Sequence, residues 1–212
     1  MPHYPRPSYG PNPFEACIDV FKAFFTKNPE SANTAALNSP ANSWFVTMGV
    51  YAIVIALFTT VMVNRIMDLI MALMFGFMGP FGGFGADILD INYAQIFFTS
   101  LLTSVITFFI YAGAVKLVFT IYKIDLPFMK VADLVGASFI PYILVFAASI
   151  LFLFVSFYVV FILMVVGATA SSVLLYRGMQ DVAGERTSIM WGFFGMIGAL
   201  MTLLVFATAV MM

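Results

Sequence analysis

Side chains able to do covalent or metal chemistry are few in these 212 residues. His3 is the single histidine and Cys17 the single thiol, so neither a zinc ligand set nor a Ser–His or Cys–His nucleophile pair can be assembled. Catalytic residues, metal ligands and cofactors are therefore expected to be none. What remains is ion pairing. Arg65 and Asp68 stand three apart, which permits a pair on one helical face. Asp68, Asp87 and Asp90 share one segment, as a weak cation cluster or as acids that solubilise a loop. Arg177, Asp181, Glu185 and Arg186 crowd "YRGMQDVAGER" (176–186). With Lys123 and Lys130 they form a polar surface suited to a partner.

These groups sit in a chain that is 63% hydrophobic and 9% charged, with a mean hydropathy of +1.05. Soluble domains carry roughly a quarter charged residues, so the chain reads as an all-α integral membrane protein. The net charge of −1 comes with no basic patch, which leaves nothing to neutralise nucleic-acid phosphates. A lone cysteine forms no intramolecular disulfide. The first thirty residues are too polar and proline-broken for a signal peptide, so insertion is expected to begin at the first span.

Along the chain, residues 1–13 form a proline-rich tail expected to be disordered. Within 14–28, Phe14, Cys17, Ile18, Phe21 and Phe25 share one helical face, with Glu15, Asp19 and Lys22 opposite. This segment is too short to span. It reads as an amphipathic helix whose apolar face meets either the lipid headgroups or the protein's own bundle. Pro29 ends it.

The membrane domain, 44–212, is expected to hold five spans at about 44–63, 93–115, 134–152, 157–176 and 191–211, with Trp44 and Trp191 as interfacial anchors. No charge occurs from Leu134 to Tyr176, a run roughly twice as long as a bilayer-spanning helix, so it must fold as a hairpin. The segment 66–90 is apolar but crowded by Gly76, Gly79, Pro80, Gly82, Gly83 and Gly85, poor helix material. It is expected to be an outer-face Gly-rich loop. Five spans with the N-terminus inside place Arg6, Lys22, Lys27, Lys116, Lys123, Lys130, Arg177 and Arg186 in the cytoplasm and Arg65 alone outside. That split satisfies the positive-inside rule and puts the C-terminus outside.

The centre of each assigned span lacks an ionisable residue, which argues against a proton-coupled pump. Thr99, Thr103 and Thr107 recur every fourth residue, flanked by Ser100 and Ser104. Gly192, Gly195 and Gly198 recur every third, and Gly167 pairs with Ser171. Small and hydroxyl residues let helices approach closely in lipid. Pro141, five residues after Gly136, is expected to bend the third span.

The ensemble of "FKAFFTKNP" (21–29), five spans, "LVGASFIPYIL" (134–144) and "YRGMQDVAGERTSIMWGFF" (176–194) resembles the Yip1 domain family, in its short prokaryotic form. Gly136 and Pro141 match the spacing of that family's Gly-Tyr-x-x-x-Pro signature, with Ala137 in place of the tyrosine. The Asp-Leu-x-Gly-Pro motif and long cytosolic domain of eukaryotic relatives are missing from their usual place, so GTPase binding is not carried over. The resemblance implies a non-enzymatic scaffold or adaptor in the cell membrane. Its expected partners are membrane lipids, another membrane protein or a second copy of itself. The alternative is a small transporter, channel or lipid-translocation protein using 76–85 and the Thr/Ser stripe.

Overall fold

A computed structural model describes residues 12–39, 42–78, 91–184 and 189–211; for 74–78, 201 and 203–211 it describes the backbone alone. Eight helices form among these residues: α1 (Pro13–Thr26), α2 (Ser31–Asn38), α3 (Trp44–Met78), α4 (Tyr93–Ile121), α5 (Phe128–Ser138), α6 (Ile140–Phe152), α7 (Phe157–Ala183) and α8 (Ile189–Met211). Four stretches are long and apolar enough to cross a membrane: Trp44–Leu73, Tyr93–Ile121, Phe128–Phe152 and Phe157–Ala183. The tail expected at 1–13 lies almost wholly outside the described residues.

Local chemistry explains the element ends. Asn12 accepts the Phe14 N–H at 3.0 Å and Pro13 opens α1, the preferred N-terminal arrangement. The first turn of α2 follows at once, with Asn28 Oδ1 accepting the Ser31 N–H at 2.9 Å. The sequence pattern predicts no element there. Pro141 has no N–H for the Ala137 carbonyl, and the helix breaks between Ser138 and Ile140. The expected bend is thus a full interruption inside one span.

Several boundaries differ from expectation: α4 runs past 115 to Ile121, and the span expected from 134 starts at Phe128. The outer-face loop expected at 66–90 does not begin at 66, because α3 continues unbroken from the first span through Arg65 to Met78; residues 79–90 lie outside the described part. Of the glycines that crowd this segment only Gly76 falls before Met78, and the rest of 66–78 is Ile, Met, Leu, Ala and Phe with Asp68, mostly good helix formers. Likewise α7 runs past 176 to Ala183, carrying Arg177 and Asp181 on helix.

The chain divides into two compact units. The first takes Met1–Met48, Phe108–Ile140 and Ser171–Met212. Its core packs Val20 of α1 with Ala32 and Ala36 of α2 and with Ala137 and Ile140, and residues 131–141 are buried without interruption. The second takes Gly49–Thr107 and Pro141–Ala170. Phe58, Phe146, Leu153 and Val160 form its core, with the Phe58 and Phe146 rings 4.9 Å apart, edge to face. Within it Tyr93 donates to Asn64 Oδ1 at 2.9 Å, and a Cβ on Gly167 would meet Val145 at 2.9 Å. The turn at 153–156 closes the α6–α7 hairpin.

Candidate functional site

The first unit holds a buried polar cluster at the start of α3. Lys130 and Asp133 lie three apart on α5, one turn of helix, so both reach the same neighbour. Asp133 is fully buried. Its Oδ1 accepts the Ser43 hydroxyl and the Trp44 N–H, each at 2.9 Å, and its Oδ2 lies 3.6 Å from Lys130 Nζ. Lys130 Nζ also donates to the Ser39 carbonyl. A carboxylate from α5 thereby caps α3, satisfying an N–H that its own helix cannot use and meeting the positive end of the helix dipole.

Further polar contacts tie other elements to this point. Asn33 of α2, fully buried, donates to the Leu174 carbonyl of α7 at 2.8 Å. Cys17 of α1 lies 3.4 Å from Thr47 Oγ1, and Thr47 donates to the Ser43 carbonyl at 3.2 Å. Burial pushes the Cys17 thiol up from its ordinary range, and the Thr47 contact only partly opposes this. Glycine permits the approach: a Cβ on Gly136 would sit 3.3 Å from Trp44 Cα, and one on Gly178 would meet Leu134 Cδ1 at 2.4 Å. Removing one member of a buried, paired group leaves its partner uncompensated, so the cluster fixes where α1, α2, α3, α5 and α7 meet within this unit.

Above this cluster α1 presents two faces. Ala16, Cys17 and Val20 are buried against the unit, whereas Phe14, Ile18 and Phe25 are 63%, 63% and 62% exposed. Phe21 is half-buried and packs on the core with Phe24. Ala16, Cys17 and Val20 make the dock, with Phe21 and Phe24 beside them. Most of the phenylalanine stripe remains outside.

The other anticipated residues separate into distinct settings. Trp44, expected as an interfacial anchor, is half-buried and stacks on Phe108 at 6.2 Å, because its N–H and Cα are held against α5. Trp191 is 71% exposed. Lys130, expected in a partner-facing loop, is instead engaged in the buried cluster. Lys123 is exposed, in a turn with φ 55°. Arg177 pairs with Glu30 at 3.5 Å, both about half exposed, and Asp181 is exposed; Glu185 and Arg186 lie outside the described residues. A Cβ on Gly192 would meet Tyr122 at 2.4 Å, while Gly195 and Gly198 face open space. Pro141 is buried.

The Thr/Ser stripe runs along α4. Thr99 and Thr103 are exposed, and the Ser104 and Thr107 hydroxyls each donate to the carbonyl four residues back at 2.8 Å. Among the described residues no group of three or more His, Cys, Asp or Glu is placed to hold a metal ion.

Sequence reasoning missed Asp133, Ser43, Thr47 and Asn33. The available signal was a Lys–Asp pair three apart at the lip of an uncharged run, with a Ser immediately before Trp44, where another apolar run begins. No protein-family model matches this chain, and no curated protein or solved structure matches it either.

Proposed function

We propose that the chain is a five-span, Yip1-like protein of the cell membrane, non-enzymatic, that organises the membrane as a scaffold or adaptor. The four long apolar helices supply four crossings. Helix α8, Ile189–Met211, follows another apolar run and supplies the fifth. The distribution of Lys and Arg then puts the N-terminus in the cytoplasm.

The observation that carries the proposal is the two-faced α1. A helix pinned to its unit by Ala16, Cys17 and Val20, yet displaying Phe14, Ile18 and Phe25, is held ready to engage the lipid interface. Glu15, Asp19 and Lys22 stay on its wet side. Lipids and a second copy or membrane-protein partner are the expected contacts.

The test is extraction from native membranes after in-membrane crosslinking, paired with solute and lipid flux in reconstituted vesicles. The expected result is a defined oligomer or stoichiometric complex that weakens in a Phe14→Ser/Ile18→Ser/Phe25→Ser variant, and vesicles no leakier than empty ones. A monodisperse monomer, or robust flux, would overturn the scaffold reading.

A further inference from the structure

A different place in the fold, within the second unit, has the chemistry of a ligand site. The turn 153–156 joins two apolar helices and so stands at a membrane face. Helix α3 arrives there after an uncharged run from Trp44 to Asn64, about 30 Å of helix, close to the thickness of a hydrocarbon core. Arg65 is the next residue. It is also the only Lys or Arg between Lys27 and Lys116.

Around Arg65 lies a cavity of about 330 Å3, bounded by Asp68, Leu69, Leu153, Phe154 and Ser156. The guanidinium carbon sits 4.4 Å from the centroid of the Phe154 ring, which fixes its plane. Its polar contact is with Asp68, Nη1 to Oδ2 at 3.4 Å, with the two side chains 32% and 58% exposed. A pair this long and this wet contributes little to stability. It occupies one of five guanidinium N–H donors, and among the described residues Arg65 has no other hydrogen-bonding partner. The first turn of α7 opens at the same lip, with N–H groups that have no acceptor in their own helix.

A planar fork whose remaining donors meet no acceptor among the described residues, beside a helix start, suits a phosphate. A purely anionic ligand would also meet the Asp68 carboxylate, so the complementary ligand carries a cation near its phosphate. Leu69, Leu153 and Phe154 supply apolar wall for the glycerol and upper acyl carbons. We propose that the Arg65–Asp68 cleft binds the headgroup of a zwitterionic phospholipid, its phosphodiester on Arg65 and the opening turn of α7, its ammonium on Asp68. Ethanolamine is the favoured headgroup, because its primary ammonium can donate to the carboxylate where a trimethylammonium cannot. The site lies in a different unit from α1 and stands or falls independently of the scaffold reading.

Native mass spectrometry of the delipidated full-length protein, re-equilibrated with nanodiscs containing equal phosphatidylethanolamine, phosphatidylcholine and phosphatidylglycerol, tests this. The wild type should retain one phosphatidylethanolamine, about tenfold over the other two. Arg65→Gln should lower that retention about tenfold, while Asp68→Asn should abolish or reverse the preference over phosphatidylglycerol. Millimolar inorganic phosphate should leave the lipid in place. Undiminished retention in Arg65→Gln, an unchanged preference in Asp68→Asn, or release of the lipid by phosphate would overturn the proposal; the last would mark a soluble-anion site. Should Arg65→Gln fold poorly, Asp68→Asn, which leaves the cation in place, decides alone.

Discussion

The two units are held together by different physics. In the first, buried polar groups and close-approach glycines join five helices: Asp133 caps α3, Asn33 reaches the Leu174 carbonyl, and Gly136 and Gly178 admit neighbours to contact distance. In the second, Gly167 also admits Val145 and Ser104 and Ser149 are buried, but among the described residues no buried charge takes part: the core is Phe58, Phe146, Leu153 and Val160 with half-buried apolar neighbours around it. Apolar packing tolerates exchange of one shape for another of similar volume, whereas a buried charge tolerates loss of neither partner. The polar unit is the one that carries α1 and α2. A helix of fourteen residues outside the spans would otherwise be marginal, so directional contacts hold it in place.

The comparison breaks most readily at Asp133. Asp133→Ala strands Lys130, Ser43 and the Trp44 N–H, and should cost about 3–5 kcal/mol of unfolding free energy. Thermal or denaturant unfolding in mild detergent reads this, and a change below about 1 kcal/mol would show that the cap is idle. A volume-conserving pair sharpens the contrast. Asp133→Asn keeps the shape but removes the charge facing Lys130, for about 2 kcal/mol. Phe58→Leu in the other unit should cost no more than about 1.5 kcal/mol. Equal losses would erase the distinction between the units.

Glycines make a finer test. Gly178→Ala drives a methyl into Leu134 and Asn33 and should destabilise by about 1–3 kcal/mol. Gly195→Ala, facing open space, should be neutral or stabilise by up to about 1 kcal/mol. The smallest effect concerns Cys17. Burial raises its thiol pKa, so the reactive thiolate stays scarce near neutrality and grows as pH rises. Maleimide labelling at pH 7 should be at least about tenfold slower in the native protein than after unfolding, and should accelerate with pH. The sign for stability follows. A raised thiol pKa leaves stability fully present below the unfolded-state value and loses it as pH climbs through the folded one.

Much of this fold was legible because lipid simplifies the code. Uncharged runs located the four long apolar helices, the Leu134–Tyr176 run required a hairpin that turns at 153–156, and Pro141 marked the break at Phe139. The helix at 13–26 followed from the spacing of its phenylalanines. Which of its faces would dock did not follow, since apolar periodicity marks lipid and protein contacts alike; Ala16, Cys17 and Val20 carry the dock, with Phe21 and Phe24 beside them. Asp133 was overlooked for a related reason. A charge at the edge of an apolar run reads as the end of a span, yet three-dimensional packing buried this one against a helix start distant in sequence. The expectation of a loop from 66 rests on glycines that stand mostly past Met78; Gly76 alone falls within the helical stretch, and one glycine does not stop a helix of otherwise favourable residues.

Oxygen and nickel-chelate accessibility of nitroxide labels along α1, in lipid vesicles and in a Cys17→Ala background, tests the central claim most directly. Labels at Phe14, Ile18 and Phe25 should relax with lipid-soluble oxygen and stay shielded from the aqueous chelate, at a depth of about 5–10 Å. Labels at Ala16 and Val20 should be reached by neither. Strong chelate contact at positions 14, 18 and 25 would place that face in water and contradict the account.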